Sequence, residues 1–194
     1  MRAVAINGSP RQKGNTSILL GAVCSVLERE GISTEPVQLG GRNVRGCRAC
    51  GTCQENRNGK CVIDDDMNDI LQSVYAADAI LIGSPTYFSN VTAEVKAFMD
   101  RAGLVSMASG KLLRRKAGAA VVAVRRAGAT SVFDAINKFF LINQMIVPGS
   151  NYWNLGMGSR IGEVEEDGEG MRTMEVLGEN MAWLLERLRE RSAP

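Results

Sequence analysis

The amino-acid sequence predicts an α/β fold: a doubly wound, five-stranded parallel sheet in the order 2-1-3-4-5, with a cysteine-rich loop after strand 2. Three observations carry this reading. Short apolar runs alternate with helical periodicities along the 194 residues, and parallel strands need helical crossovers on both faces of the sheet. The runs Ala79-Ile80-Leu81-Ile82 and Ala117 to Val124 are apolar throughout, as strands covered on both faces are. The run Ile32 to Leu39 contains Pro36, which removes a ladder donor and so belongs at a sheet edge.

Taken in order, Arg2 to Asn7 is the first strand, ended by the turn chemistry of Gly8 to Gly14. A helix follows, capped by Asn15 or Thr16, with Ile18, Leu19, Ala22, Val23, Val26 and Leu27 on one face and Gly31 as its stop. Ile32 to Leu39 is the edge strand. Residues 40–63 form a Gly- and Cys-rich insertion within one domain spanning 1–194. Asp64, Asp65 and Asp66 open the next helix, which faces inward with Met67, Ile70, Leu71 and Val74. Asp78 to Gly83 is the central strand, Val91 to Ala102 a helix, Ala117 to Val124 the fourth strand and Ser131 to Ile146 a long helix. Ser150 to Leu155 is a weak fifth strand, and Met171 to Arg191 a closing amphipathic helix. Gly156 to Gly170, rich in Gly and Glu, is predicted to be mobile. In a sheet of this order ligands sit beyond the carboxyl ends at the switch between strands 1 and 3, so the loops after those strands matter most.

With 23 Lys+Arg against 21 Asp+Glu, the net charge of +2 gives no electrostatic case for nucleic acid or an anionic membrane as partner. The absence of His decides more. Ser-His-Asp and Cys-His catalysis and His-ligated metals are excluded from this chain, which leaves Cys, carboxylates, Lys or a bound cofactor. Met1 to Ile6 reaches Gly8 too early for a secretion signal, and no apolar stretch approaches ~18 residues, so a cytoplasmic protein is expected. Four of the five Cys lie within residues 47–61, which in a reducing compartment points to metal or redox chemistry rather than structural disulfides. Cys24, among the apolar positions of the first helix, reads as an inert buried thiol.

The loop from Gly8 to Ser17 combines small residues, hydroxyls and two cations at a helix start, where free N–H groups and the positive dipole end favour a phosphate. Ser9, Asn15, Thr16 and Ser17 offer side-chain donors and Arg11 a forked one. The pattern is neither a Walker A loop nor the Gly-rich dinucleotide fingerprint; the alternative is a well-capped turn. After strand 3, Pro85-Thr86-Tyr87-Phe88 offers a wall for a planar ring, or else staples the next helix. Together the two loops form a pocket of flavin-mononucleotide shape.

Cys47, Cys50, Cys53 and Cys61 give the spacing C-x2-C-x2-C-x7-C. Three thiolates so spaced wrap one side of a small inorganic core and a fourth closes it, which suits a [4Fe-4S] cluster best. Zinc fits less well, because it favours two separated C-x2-C pairs. A redox disulfide, which needs a thiolate at a helix start where this loop reads as irregular, and thiols without a cluster are the other readings.

Gly8-Ser9-Pro10-Arg11 with Gly14-Asn15-Thr16, and Gly83-Ser84-Pro85-Thr86-Tyr87 with Lys96 and Asp100-Arg101, resemble the NADPH-dependent FMN reductase-like branch of the flavodoxin-like fold, over about the first two thirds of the chain. The resemblance implies that Ser9, Arg11, Asn15, Thr16 and Ser17 hold the FMN phosphate and that Pro85, Thr86, Tyr87 and Phe88 line the isoalloxazine. It implies a third contact from Arg125, Arg126, Ala127 and Gly128. The cysteine motif also looks like that of iron-sulfur flavoproteins, in which one [4Fe-4S] cluster passes electrons to FMN. Members of the resembled family are dimers or tetramers with FMN near an interface, which would bring Tyr152 and Trp153 to a neighbour's pocket; the apolar stretch Phe139 to Ile146 also exceeds what one sheet face needs.

The leading expectation is an FMN-dependent oxidoreductase in which a donor such as a ferredoxin reduces the cluster, the cluster reduces FMN, and a small acceptor, an oxygen species or a quinone, receives the electrons. The flavin carries the chemistry, so no catalytic side chain is assigned. Two other readings stand beside it: a NAD(P)H-dependent FMN or quinone reductase without a cluster, and a flavin-binding carrier or redox sensor without turnover. The basic run Lys111 to Lys116 is either a solvated surface or a landing site for an acidic donor.

Overall fold

The computed structural model describes residues 1–190. The strands are β1 (Arg2–Asn7), β2 (Ser33–Gln38), β3 (Ala79–Pro85), β4 (Ala117–Val124) and β5 (Leu155–Met157), all parallel in the order β2-β1-β3-β4-β5. The helices are α1 (Asn15–Arg29), α2 (Thr52–Asn56), α3 (Met67–Ala76), α4 (Ala93–Ala108), α5 (Ala129–Ile142) and α6 (Gly168–Glu190), with a 3₁₀ turn at Glu163–Glu166. The two all-apolar runs are neighbours inside the sheet, and every residue of β4 is buried. Pro36 sits on edge strand β2, opposite Ala5.

Successive side chains of a strand point to opposite faces, and here the two faces differ in size. Val4, Ile6, Ile80, Ile82, Val122 and Val124 meet α3, α4 and α5. Ala3, Ala5, Ala79, Ala117, Ala119 and Ala123 meet α1 and α6. Large residues fill one layer, and the alanine face is completed by Leu19, Val23, Leu27, Leu177 and Met181 from the helices.

β1 and β4 have the predicted boundaries, and the other elements differ for local reasons. The fifth strand is Leu155–Met157 rather than Ser150 to Leu155: Tyr152 and Trp153 stand in solvent, and the ladder with β4 opens only where Val122 N–H donates to the Asn154 carbonyl at 3.0 Å. α5 begins at Ala129 and stops at Ile142, short of Ile146. Gln144 takes a left-handed φ of 59°, and Ile146 turns to bond Lys116 and Gly118 at 2.9 Å each. α4 starts behind Thr92, whose hydroxyl accepts from Val95 N–H, and continues past Ala102 to Ala108. α1 is capped by Gly14 rather than by Asn15 or Thr16. Helix α2 forms inside the loop read as irregular.

The segment 156–170, expected to be mobile, is built into the fold. It holds the end of β5, the 3₁₀ turn and the start of α6; Val164 is buried, and Asp167 Oδ2 accepts from Met157 N–H at 2.7 Å. The predicted end of the last helix at Arg191 lies outside the described residues. Among the described residues no helix is long and apolar enough to cross a membrane.

Candidate functional site

β1 and β3 pair with Asn7 opposite Gly83, so the loops that follow them leave the sheet side by side. Gly8 N–H donates to the Gly83 carbonyl at 2.8 Å, and a Cβ on Gly8 would lie 2.0 Å from Val95 Cγ2. Ser9 N–H then donates to Asn7 Oδ1 (3.0 Å) and Arg11 N–H to Ser9 Oγ (3.1 Å), which turns the loop towards the start of α1. No acidic residue occupies the first turn of α1, so its free amides and dipole face outward uncancelled. The Asn15 side chain, released from capping, donates to the carbonyls of Gly158 (3.0 Å) and Arg160 (2.9 Å) and accepts from Gly162 N–H (2.9 Å). It draws the segment after β5 against the loop.

These contacts make one cleft at the carboxyl ends of the strands. It is lined by Ser9, Arg11, Gly14, Asn15 and Thr16 on one side, by Pro85, Thr86 and Tyr87 on another, and by Ala123 to Arg125 with Gly158 and Ser159 around the rest. Thr86 is fixed there by two bonds to the Ala123 carbonyl, from its N–H (2.9 Å) and its hydroxyl (3.1 Å). Eight of the thirteen residues expected to contact the flavin, Arg125 among them, therefore meet in this cleft.

Five do not, Arg126 and Ala127 among them. The Ser17 hydroxyl donates to the Gly14 carbonyl at 2.8 Å, and the residue faces a separate groove between α1 and β2. Phe88 is exposed at the tip of a tight turn in which Tyr87 and Asn90 exchange bonds of 3.0 and 2.9 Å. Phe88 and Ser89 both have positive φ, 48° and 57°, the geometry of a primed hairpin turn that non-glycine residues adopt reluctantly. Gly128 caps α5 at φ 86° and lies against Ser89, where a Cβ would come within 2.4 Å of Ser89 Oγ. It buttresses the turn instead of lining the cleft. Gly158 and Ser159 escaped the sequence reading because the fifth strand was placed too early to put its loop at the switch point. Of the remaining motif residues, Lys96 and Asp100 pair at 2.6 Å on the exposed face of α4.

Cys47, Cys50, Cys53 and Cys61 line a second concavity of about 200 Å³, with Ile63 and with Arg101, Leu104 and Val105 of α4. Left-handed turns at Ala49 (φ 54°) and Gly51 (φ 77°) reverse the chain between the first three. Cys61 is held through its backbone, its N–H donating to Asn68 Oδ1 (2.8 Å) and its carbonyl accepting from Asn68 Nδ2 (2.9 Å). Ala49 N–H points at Cys47 Sγ, 3.4 Å away. Bonds from the Thr52 hydroxyl and amide, and from Arg48, bring the Cys50 thiol down to about 7. Burial instead pushes Cys53 up, and takes Cys24, on α1, up to about 11.

All five cysteines are free thiols. Among the described residues no three Cys, Asp or Glu side chains converge on one point as ligands of a single ion would. The four cysteines instead line a space several water molecules in volume, and thiols on that scale are the donor chemistry of a polynuclear iron-sulfur core. The residues present fit such a group.

One buried guanidinium joins this concavity to the fold. The Arg101 side chain is 1% exposed and its fork meets the Asp65 side chain, 0% exposed, with Nη1–Oδ2 at 2.6 Å and Nη2–Oδ1 at 2.9 Å. Asp65 also accepts from the N–H groups of Arg45 (3.0 Å) and Met67 (3.2 Å). Burial alone would raise the Asp65 carboxyl; the Arg101 fork and these backbone donors outweigh it and hold the group below its ordinary value. Burial likewise opposes the charged Arg101, but Asp65 and then the Cys61 sulfur hold it above its own.

The two concavities share no lining residue. The cysteines lie against residues 101–105, eight to twelve positions past Ala93 and so roughly 12–18 Å along α4. Further out, Gly59 N–H donates to Ser109 Oγ (2.9 Å), which sets the start of the basic run Lys111 to Lys116 beside the cysteine loop. Leu141, Ile142, Tyr152 and Trp153 are exposed apolar side chains.

The sequence profile of the NADPH-dependent FMN reductase family matches residues 1–160. The chain is 36% identical to an iron-sulfur flavoprotein of Methanocaldococcus jannaschii, across 98% of this chain and 100% of that one. It is 34% identical to an iron-sulfur flavoprotein of Methanosarcina thermophila, across 98% of each. Among solved structures, RosB with bound 8-demethyl-8-formylriboflavin-5'-phosphate superposes with a TM-score of 0.80 at 20% identity, covering 100% of this chain and 82% of that one.

Proposed function

The chain belongs to the NADPH-dependent FMN reductase family, with iron-sulfur flavoproteins as its relatives, and is an FMN-dependent oxidoreductase; from that premise we propose that it carries both FMN and a [4Fe-4S] cluster. When bound, the two groups supply one chemistry, the passage of electrons from a ferredoxin-type donor through cluster and flavin to a small acceptor, an oxygen species or a quinone.

The residues divide the work of holding them. Ser9, Arg11, Asn15 and Thr16 would take the FMN phosphate at the open start of α1, where a balancing charge and free amides coincide. Pro85, Thr86 and Tyr87 would lie against the ring, with Thr86 fixed by its bonds to Ala123. Cys47, Cys50, Cys53 and Cys61 would ligate the cluster, and a Cys50 thiol near 7 favours the thiolate that ligation needs. Basic side chains beside the cysteine loop, Arg48, Arg57, Lys60 and the run from Lys111, favour an acidic donor at that face. Exposed Leu141, Ile142, Tyr152 and Trp153 favour assembly as a homodimer or homotetramer.

The observation that carries this reading is the meeting of four free thiols around one concavity. The test is iron, acid-labile sulfide and flavin per chain in anaerobically purified protein, with its visible spectrum. About four irons and one FMN are expected. FMN without iron would turn the assignment to a NAD(P)H-dependent FMN or quinone reductase. Turnover with neither a ferredoxin nor NAD(P)H would leave a flavin carrier.

A further inference from the structure

A guanidinium carries five N–H donors, and Arg101 uses four of them around the cysteine loop. Nη1 donates to Asp65 Oδ2 at 2.6 Å and to the Arg45 carbonyl at 3.1 Å; Nη2 donates to Asp65 Oδ1 at 2.9 Å and to the Ile63 carbonyl at 3.5 Å. The fifth, at Nε, is buried and has no partner. A charged, buried N–H left without an acceptor costs free energy, and the fork onto Asp65 leaves the side chain no freedom to turn it towards water. The same side chain lines the concavity of the four cysteines. An acceptor supplied from that concavity would complete its five bonds.

We propose that Arg101 is a positioning residue for the cluster, its Nε–H donating to a cluster sulfur or to the Cys61 thiolate and so setting the cluster's reduction potential. The inference rests on the cluster reading above. A hydrogen bond to sulfur stabilises the reduced, more negative cluster over the oxidised one, so this donor raises the potential. Lysine keeps the charge and can pair with Asp65, yet it has no N–H where Nε stands. Arg101→Lys therefore separates the hydrogen bond from the charge.

The experiment is an anaerobic redox titration of the holoprotein followed by electron paramagnetic resonance, on the parent and on Arg101→Lys, with iron and sulfide measured in each. Equal iron with a more negative midpoint potential in the lysine protein is the expected result; equal iron with an unchanged midpoint overturns the proposal. Parent protein without iron would overturn the cluster reading itself, which is a separate outcome. If Arg101→Lys does not fold, the Arg48→Lys protein grown on nitrogen-labelled arginine decides, because it retains Arg101 while removing the other arginine of the concavity. Its reduced cluster should show a labelled-nitrogen coupling in pulsed resonance spectra, and none would be seen if Arg101 makes no such bond.

Discussion

The N–H of Gly8 donates to the carbonyl of Gly83 at 2.8 Å, and this bond fastens the loop that opens α1 to the end of β3, from which the chain leads to α4. The contact leaves no room for a side chain. In Gly8→Ala the new methyl would stand 2.0 Å from Val95 Cγ2 and 2.9 Å from the Gly83 oxygen. The substitution should cost about 1–3 kcal/mol of stability through overpacking and release FMN during purification. Chemical denaturation and flavin content check both; a protein with unchanged midpoint and flavin would show that the loop and the end of β3 are not coupled here.

Arg11 lines the cleft beside the open start of α1. Arg11→Ala should weaken FMN by about 1.5–3 kcal/mol if its bond to the phosphate is charge-assisted, while riboflavin affinity stays the same. Fluorescence titration with both ligands separates the cases. Equal losses for FMN and riboflavin would place Arg11 against the ring or the ribityl chain.

The three bonds of Asn15 hold residues 158–162 in place. Asn15→Ala should lower stability by about 1–3 kcal/mol, at the usual net worth per hydrogen bond, and accelerate amide exchange in that segment alone. Exchange that rises evenly over α1 as well would instead mean that Asn15 supports the helix.

The Asp65–Arg101 pair predicts a pH dependence. Its folded carboxyl is held below the ordinary carboxylate value, so it contributes stability above that range, and the contribution is lost as pH falls through the lowered folded value. Asp65→Ala leaves a buried cation alone and should cost about 3–5 kcal/mol near neutrality. Urea unfolding of parent and variant should show this gap narrowing as pH drops below ~4. A gap that stays constant with pH would exclude the carboxylate as its source.

Much of this was legible in the chain because strand interiors and turn glycines are local signals. Ala117 to Val124 has no polar residue to offer solvent, and Pro36 admits only an edge, so the strand order followed. What failed depended on distant partners. Tyr152 and Trp153 have strand-like side chains, but the ladder begins at Leu155 because Ala120 and Val122 bond Asn154 first. Asn15 has the chemistry of a cap, and it is spent on Gly158, Arg160 and Gly162, more than a hundred residues away. Phe88 reads as a ring wall from its neighbours; only the left-handed pair Phe88-Ser89 reveals that it faces outward. Arg101 enters the sequence reading only as part of the family motif, with no role of its own, since its meaning lies in Arg45, Ile63 and Asp65 on another part of the chain.

Those same contacts give the cysteine loop the character of a cartridge. Arg45 at its entry and Ile63 and Asp65 at its exit meet on one side chain of α4. A segment whose two ends are seated in a common socket can be lengthened cheaply, about 0.6 kcal/mol for each doubling of a flexible loop, without moving the strands on either side. Residues 46–62 are thus a unit that can be swapped for a different ligand spacing while the flavin cleft keeps its shape, and Arg101 with Asp65 is the fitting that any replacement has to match.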